Sequence, residues 1–257
     1  MGYPRIADNS KFIDYTIVSV TSEDPNAPIS SIKTYKYPSQ SWRSTSLVQQ
    51  DIVIDLATQY ENPVIYMDNF NFTTFQIHGS SDGINFPYSV SITATKNKRL
   101  KDFRYIKDLS GFNYQYLRLR IPSQSPASGE AFFLLGGFSV LSSMVTLGEY
   151  FEYSETFLAS IPGITVSFAG GGVDAIALGA RRAGKFTPTV QRTAKVDQSD
   201  VSEIYDNFLM SEPVLLDLNR GDPTEAYLMI NSNFQLSDTW VNYGIRNYQN
   251  LELQVVV

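Results

Sequence analysis

The sequence contains no cysteine and a single histidine, His78, and these absences exclude several kinds of chemistry. Without cysteine the chain can form neither a disulfide framework nor a thiolate metal site. A Ser-His-Asp triad would require His78, but this residue lies in a predicted strand just before a turn, so we interpret it as structural. Zinc would need carboxylates for its other ligands, an unusual donor set. We therefore predict no catalytic residue, no bound metal and no cofactor.

Charge is also scarce. Charged residues make up 18% of the chain, below the roughly 25% typical of globular proteins. The net charge is −6 and the pI about 4.9, so the chain lacks the basic surface that binding to nucleic acid or to an anionic membrane requires. No long apolar run is present, and the first ten residues lack the apolar segment of a secretory signal. We expect no specific nucleic-acid binding, no membrane insertion and no secretory leader.

Apolar and aromatic residues are abundant, at 43% and 13%, and they recur in short runs separated by Pro, Gly, Asn and Ser. Such runs, with no convincing helix between them, predict a β-sandwich. The predicted strands of this part are residues 32–37, 52–56, 64–67, 75–78, 88–94, 116–121 and 132–140.

Several short motifs follow one another along these segments in a recognisable order. Trp42 lies in a Ser-Trp-Arg-Ser segment, Asp55 in an alternating strand, Asp82-Gly83 in a turn, and Arg118 in a Tyr-x-Arg strand before a closing strand at 136–140. This order resembles the discoidin-like, galactose-binding jelly rolls (the coagulation-factor C-type domains), without their flanking cysteines. The resemblance implies that Trp42 packs under the sandwich. It assigns no ligand residues, because those lie in variable loops.

The segments beside and within this sandwich are less regular. We predict that residues 1–30 form an N-terminal arm and linker, with a strand at 12–20 that pairs with one of the domains or with a neighbouring subunit. The jelly roll then spans residues 31–146. Within it, a basic segment at 96–107 is predicted to be an exposed hairpin or loop, which is either a solvated face or a contact for an acidic neighbour or a polyanionic glycan. Its basic residues are Lys96, Lys98, Arg99, Lys101, Arg104 and Lys107.

Residues 147–257 differ in character, because the clearest predicted helix of the chain lies here at 200–210. Asp200 can cap it, with Glu203 three residues later, and Pro213 ends it. Its apolar face consists of Val201, Ile204, Tyr205 and Phe208. The predicted strands are 151–158, 164–168, 173–178, 186–191, 214–218, 226–230, 240–245 and 251–257. This pattern predicts a β-sandwich or split barrel with one packed helix.

A β-rich half with one short amphipathic helix is similar to the tail-tube and distal-tail proteins of long-tailed bacteriophages. The resemblance implies a structural virion protein of the tail tip that forms a ring, with a hexamer favoured over a trimer. Its partners would be the tube, hub and tape-measure proteins, with the jelly roll outside the ring and DNA passing through the lumen. In that family the ring domain usually comes first, whereas here the order is inverted.

Two groups of residues suggest ligand sites and have simpler explanations. The glycine-rich stretch 170–179 lacks the Gly-Lys-Ser/Thr end of a phosphate loop, so we interpret it and the nearby Arg181 and Arg182 as a hairpin tip or subunit contact. Asp55, Asp68 and Asp82 suggest calcium, but no Asp-x-Asp-x-Asp-Gly loop is present. Asp82 is interpreted as the turn residue before Gly83.

Four aromatic residues suggest an alternative function for the chain. Tyr35, Tyr37, Trp42 and Tyr88 could stack on a sugar ring, although Trp42 is the best candidate for the core. The alternative to the tail-tip ring is therefore a glycan-binding adhesion module that recognises cell-surface carbohydrate. A third hypothesis, a hydrolase with an accessory sandwich, has almost no support, since no acidic residue lies in an apolar, pocket-forming run.

Overall fold

A computed structural model of the chain describes residues 5–33, 41–98, 100–146, 151–160, 163–167, 173–177, 183–192, 214–218, 221–231, 237–242, 245–249 and 253–255. Within these residues the chain is almost entirely β-structure, with short 3-10 helices at Asn9–Lys11 and Ile29–Lys33. The strands are β1 (Arg5–Ala7), β2 (Thr16–Val20), β3 (Trp42–Arg43), β4 (Gln50–Glu61), β5 (Val64–Phe70), β6 (Thr74–Ser80), β7 (Tyr88–Thr93), β8 (Arg104–Asp108), β9 (Asn113–Ile121), β10 (Leu134–Leu141), β11 (Val145–Thr146), β12 (Phe151–Ser160), β13 (Gly163–Ser167), β14 (Val173–Ala177), β15 (Ala183–Arg192), β16 (Val214–Asp217), β17 (Ala226–Asn231), β18 (Ser237–Asn242), β19 (Ile245–Gln249) and β20 (Leu253–Val255).

One sheet of the sandwich has five antiparallel strands in the order β2-β4-β9-β6-β7. The alternating sequence of β4 sets its two faces. Ile52 and Ile54 are almost fully buried and lie opposite Leu119 and Leu117 of β9. Asp51, one position before Ile52, lies on the other face of the sheet. One face of this sheet therefore forms half of the core, and the other carries polar side chains.

The second sheet has the order β3-β10-β5-β8 and packs on the first. Trp42 is fully buried between them, and its indole Nε1 donates a hydrogen bond to the carbonyl oxygen of Ser22 at 3.1 Å. Ile65 and Met67 of β5 and Leu135 of β10 belong to the same core. The predicted mainly β fold with a two-sheet sandwich is confirmed.

The other face of the four-stranded sheet is also covered. Val64 and Tyr66 alternate with Ile65 and Met67, and they pack in a second core with apolar residues of β1, β16 and β17. The hydroxyl of Tyr66 accepts a hydrogen bond from the backbone N–H of Leu228 at 3.3 Å, and burial raises the pKa of Tyr66 well above its usual range. The sandwich and the strands β1, β16 and β17 therefore share a continuous apolar contact.

The covering strands belong to a larger antiparallel sheet with the order β11-β1-β16-β17-β20-β15-β19-β18. In addition, β12 pairs with β15 along its whole length, and β13 pairs with β14. In the described parts of the chain, no helix is long and apolar enough to cross a membrane.

Three local predictions are corrected by the structure. The strand predicted at 32–37 is wrong where it is described, since Ile32 and Lys33 end a 3-10 helix that follows a turn at Pro28. The single strand predicted at 240–245 is two strands, because β18 ends at Asn242 and β19 starts at Ile245 opposite it. The basic segment 96–107 pairs across itself as a hairpin does, since Lys96 bridges Phe103, but it is not wholly exposed, because Arg104 at the start of β8 is buried.

Residues 5–30 lie against the rest of the structure: β2 pairs with β4, and β1 pairs with β11 and β16. The division of the chain into 1–30, 31–146 and 147–257 stays a prediction. The helix predicted at 200–210, the glycines at 170–172 and the side chains of Arg181 and Arg182 lie outside the described residues, as do Tyr35 and Tyr37.

Candidate functional site

A groove opens along the edge of β10. The short strand β3 pairs only with the first residues of β10, and beyond it the segment 11–15 runs alongside. There the N–H of Ile13 donates to the carbonyl of Val140, and the N–H of Ser142 donates to the carbonyl of Lys11, both at 2.8 Å. The groove has a volume of about 370 Å³. Its lining residues are Asn9, Phe12, Ile13, Asp14, Tyr15, Lys33, Phe138, Ser139 and Val140.

The floor of the groove is a fixed tyrosine. Tyr15 is 5% exposed, and its hydroxyl donates a hydrogen bond to the carbonyl oxygen of Phe138 at 2.7 Å. The two rings meet edge to face, with centroids 6.2 Å apart. Burial raises the pKa of Tyr15 well above its usual range, so the floor is uncharged at physiological pH.

The mouth of the groove carries an ion pair. Lys33 Nζ lies 2.8 Å from Asp14 Oδ1, donates to the carbonyl oxygen of Tyr15, and sits 5.1 Å from the centre of the Tyr15 ring. The hydrogen bond from the Lys33 ammonium, together with its charge, lowers the pKa of Asp14. Because the Asp14 side chain is 92% exposed, the groove presents an ionised carboxylate to solvent at neutral pH.

Neutral polar groups complete the lining. Asn9 is exposed at the start of its 3-10 helix, where Asp8 caps the turn by accepting a hydrogen bond from the N–H of Ser10 at 2.8 Å. Ser139 lies on β10, and Phe12 supplies an apolar wall. The volume is near the lower end of the roughly 300–1,000 Å³ usual for small-ligand sites. The groove can therefore offer donors, acceptors and an apolar surface to a small polar molecule.

Of the aromatic residues predicted to stack on sugar, the two that the structure describes lie elsewhere. Trp42 is fully buried in the sandwich core, where no ligand reaches it. Tyr88 is half-buried and packs edge to face against Phe112, with centroids 5.4 Å apart. The structure therefore brings neither residue into the groove.

The aspartates considered for calcium have structural partners. Asp82 Oδ1 accepts hydrogen bonds from the N–H groups of Ile84 and Asn85 and from the Ser80 hydroxyl, each at 2.8 Å, and these bonds hold the pKa of Asp82 well below its usual range. Asp55 Oδ1 accepts from the N–H of Ala57 at 2.8 Å. Among the described residues, no group of three or more His, Cys, Asp or Glu side chains could hold a metal ion, and Asp68 joins no such group.

His78 lies on β6 and is 8% exposed, with its Nε2 3.3 Å from Gln76 Oε1. Desolvation, followed by the charges of Arg118 and Arg120, lowers the pKa of His78. The imidazole is therefore neutral at physiological pH, in keeping with a structural residue of the sheet.

Sequence reasoning missed the groove because five of its nine lining residues fall in the segment 1–30, which was assigned to an arm, whereas Lys33 and residues 138–140 were assigned to the jelly roll. The Asp8-Asn9-Ser10 triplet is turn-forming and could have indicated a bend there. Nothing in the sequence indicates that Asp14 meets Lys33, since their contact depends on the fold of both segments against β10.

No protein-family model matches the chain, and no curated protein matches it. Among solved structures, the chain is similar to the C-terminal domain of a chitobiase from Bacteroides fragilis, with 18% identity, a TM-score of 0.42, and coverage of 55% of this chain and 100% of that one. It is also similar to CBM32-3 from a family 31 glycoside hydrolase of Clostridium perfringens, with 15% identity, a TM-score of 0.41, and coverage of 54% and 95%. A fucose binding module of Streptococcus pneumoniae shows 14% identity, a TM-score of 0.37, and coverage of 53% and 98%.

Proposed function

We propose that this protein is a non-enzymatic glycan-binding protein that takes one sugar residue of a cell-surface carbohydrate in the groove beside β10. The observation that carries the proposal is the exposed Asp14–Lys33 ion pair at the mouth of a groove of sugar-residue size. A carboxylate accepts and an ammonium donates, so the pair can bind two neighbouring hydroxyls of a pyranose through charge-assisted hydrogen bonds.

The groove is also fixed before a ligand arrives. Lys33 is anchored by Asp14, by the carbonyl of Tyr15 and by the Tyr15 ring, and Tyr15 itself is anchored to Phe138. Side chains that are already ordered lose little conformational entropy on binding, which supports the measurable affinity of a small site.

The test is a glycan array followed by titration calorimetry with the best glycan. We expect Asp14→Asn and Lys33→Met each to weaken binding roughly 2- to 12-fold, which corresponds to the loss of one net hydrogen bond. The matched controls are Glu61→Gln and Lys107→Met, which remove the same charges outside the groove. No binding on the array, or equal affinity of all four variants, would contradict the proposal.

A second candidate function is the ring component of a phage tail tip, in the virion, with a hexamer favoured over a trimer. The supporting observation is that β18 is the last strand in the order of the large sheet. Among the described strands it pairs only with β19. The free side of such a strand can accept a strand from a neighbouring copy. On this proposal the tube, hub and tape-measure proteins are the further partners.

This second proposal is tested by mass and shape. We expect negative-stain images to show rings, and analytical ultracentrifugation to give a six-fold or three-fold mass, when the tail partners are present. A monomer at micromolar concentration that forms no ring with those partners would contradict it. The two proposals are compatible, because a ring that carries several sugar-binding jelly rolls would gain avidity on a cell surface.

A further inference from the structure

The outer face of the five-stranded sheet carries a second polar surface, distinct from the groove. In the strand register, Arg118 of β9 lies directly opposite His78 of β6, and Arg120 lies opposite Gln76 on one side and Asp51 on the other. Residues at alternate positions of a strand share a face, so these side chains form two adjacent rows.

The two arginines have different partners. Arg120 is neutralised by Asp51 through a two-bond pair, with Nε to Oδ1 at 2.8 Å and Nη2 to Oδ2 at 2.7 Å. Arg118 has no carboxylate partner within the described residues. Its Nε is buried without an acceptor, the residue as a whole is partly exposed, and its terminal nitrogens make no hydrogen bond within the described part of the chain. The surface therefore has one uncompensated positive charge.

The Arg118 guanidinium is held in place by the loop between β6 and β7. Its Cζ lies 4.0 Å from the centre of the Phe86 ring, and the same ring meets His78 edge to face at 6.5 Å. The loop is closely fitted, since Gly83 has a φ of +73° and a Cβ there would lie 3.3 Å from the Tyr116 ring. The planar donors of Arg118 are thus oriented before any ligand binds.

We propose that Arg118 binds the carboxylate of an acidic sugar, a uronic or sialic acid residue, at this face. A planar guanidinium matches a carboxylate with two parallel hydrogen bonds. Because Asp51 neutralises Arg120 and His78 is uncharged, a single positive charge is available, which balances a monoanion but not a phosphate dianion. The amide of Gln76, 3.3 Å from the hydroxyl of Ser91, supplies polar groups for sugar hydroxyls. This inference rests on the proposed glycan-binding function only where it takes the molecule that bears the carboxylate to be a sugar.

His78 provides the readout, because a chain with one histidine gives one imidazole C2–H signal in the proton NMR spectrum. We expect glucuronate, added at constant ionic strength and neutral pH, to shift this signal saturably, whereas glucose leaves it unchanged. We expect acetate to bind at least about tenfold more weakly than glucuronate, since it lacks the hydroxyls that reach Gln76.

Variants separate a binding role of Arg118 from its contact with Phe86. We expect Arg118→Gln to weaken glucuronate binding at least tenfold, and Arg118→Lys to weaken it less, because lysine keeps the charge without the two-pronged geometry. The matched control is Arg43→Gln, which removes an exposed arginine that also lies over a phenylalanine, Phe132, at 5.2 Å. A dispersed amide spectrum of each variant shows that it is folded.

Three outcomes would overturn the inference: equal affinity for acetate and glucuronate, equal affinity for sulfate and glucuronate, or unchanged binding by folded Arg118→Gln. Lys33→Met distinguishes this surface from the groove. It should weaken glycan binding in the groove and leave the shift of the His78 C2–H signal by glucuronate unchanged. Failure of one site is thus distinguishable from failure of the other.

Discussion

At the scale of single residues, the surroundings of His78 have a direct consequence for its protonation. The ring is desolvated by burial and faces the positive charges of Arg118 and Arg120, with Asp51 as the opposing negative charge. The first three influences disfavour the imidazolium form, and only Asp51 favours it. The pKa of His78 is therefore lowered from the ordinary histidine value of 6.5.

We predict that the pH titration of the His78 C2–H signal has a midpoint below 6.5. As pH falls through this ordinary value, the unfolded chain takes up a proton that the folded chain does not, so the stability of the fold decreases on acidification. Arg118→Gln should raise the pKa of His78, and Asp51→Asn should lower it further. Shifts of the same sign in both variants would contradict the assigned causes.

Turn residues were predictable from the sequence, whereas charge partners were not. The Ser-Asp-Gly turn was predicted, and the structure shows Gly83 at a φ of +73° and Asp82 bound to the N–H groups that follow it. These interactions join residues two or three positions apart. In contrast, Asp51 and Arg120 are 69 residues apart, so sequence could not show that Arg118 lacks the partner that Arg120 has.

At the scale of elements, β8 shows why a basic segment was misinterpreted. Its composition indicated a solvated face, yet Arg104 is 2% exposed. Arg104 Nε donates to Asp102 Oδ1 at 2.9 Å, and its Cζ lies 5.1 Å from the centre of the Tyr227 ring on β17. A carboxylate two residues earlier and an aromatic ring from a distant strand make burial of this charge tolerable. Only the first of these could have been found in the local sequence.

We predict that Asp102→Asn lowers the free energy of unfolding by up to about 3–5 kcal/mol, because it removes the carboxylate that accepts hydrogen bonds from the buried Arg104 and leaves only the charge of Asp68 nearby. Asp51→Asn removes the carboxylate of the Asp51–Arg120 ion pair, whose side chains are 24% and 27% exposed. It should lower the free energy of unfolding by at most about 1 kcal/mol. Urea denaturation followed by circular dichroism measures both values. Equal and small costs would show that Arg104 finds a replacement partner or water on losing Asp102.

At the scale of the molecule, the four-stranded sheet is a middle layer. The apolar run Val64–Met67 at the start of β5 fits burial on both faces, but nothing in the sequence shows that the covering strands are β1, β16 and β17. Arg5 of β1 adds a polar link, because its guanidinium binds Asp108 of β8 and Asp217 of β16, each at 2.7 Å. The sandwich and its covering strands should therefore protect each other from solvent.

Hydrogen exchange measures this mutual protection. Leu215 is fully buried in the second core, and Leu215→Ala should lower the free energy of unfolding by about 2–5 kcal/mol. We predict that the amides of β5 and β8 exchange faster in this variant, by a larger factor than those of β6 and β7. Leu117→Ala, in the sandwich core, is the control and should reverse that order, because it removes contacts of β9 with β4 and β6. If Leu215→Ala accelerated exchange in β16 and β17 while β5 and β8 were unaffected, the covering strands would be an independent unit, and the sandwich would not need them to stay folded.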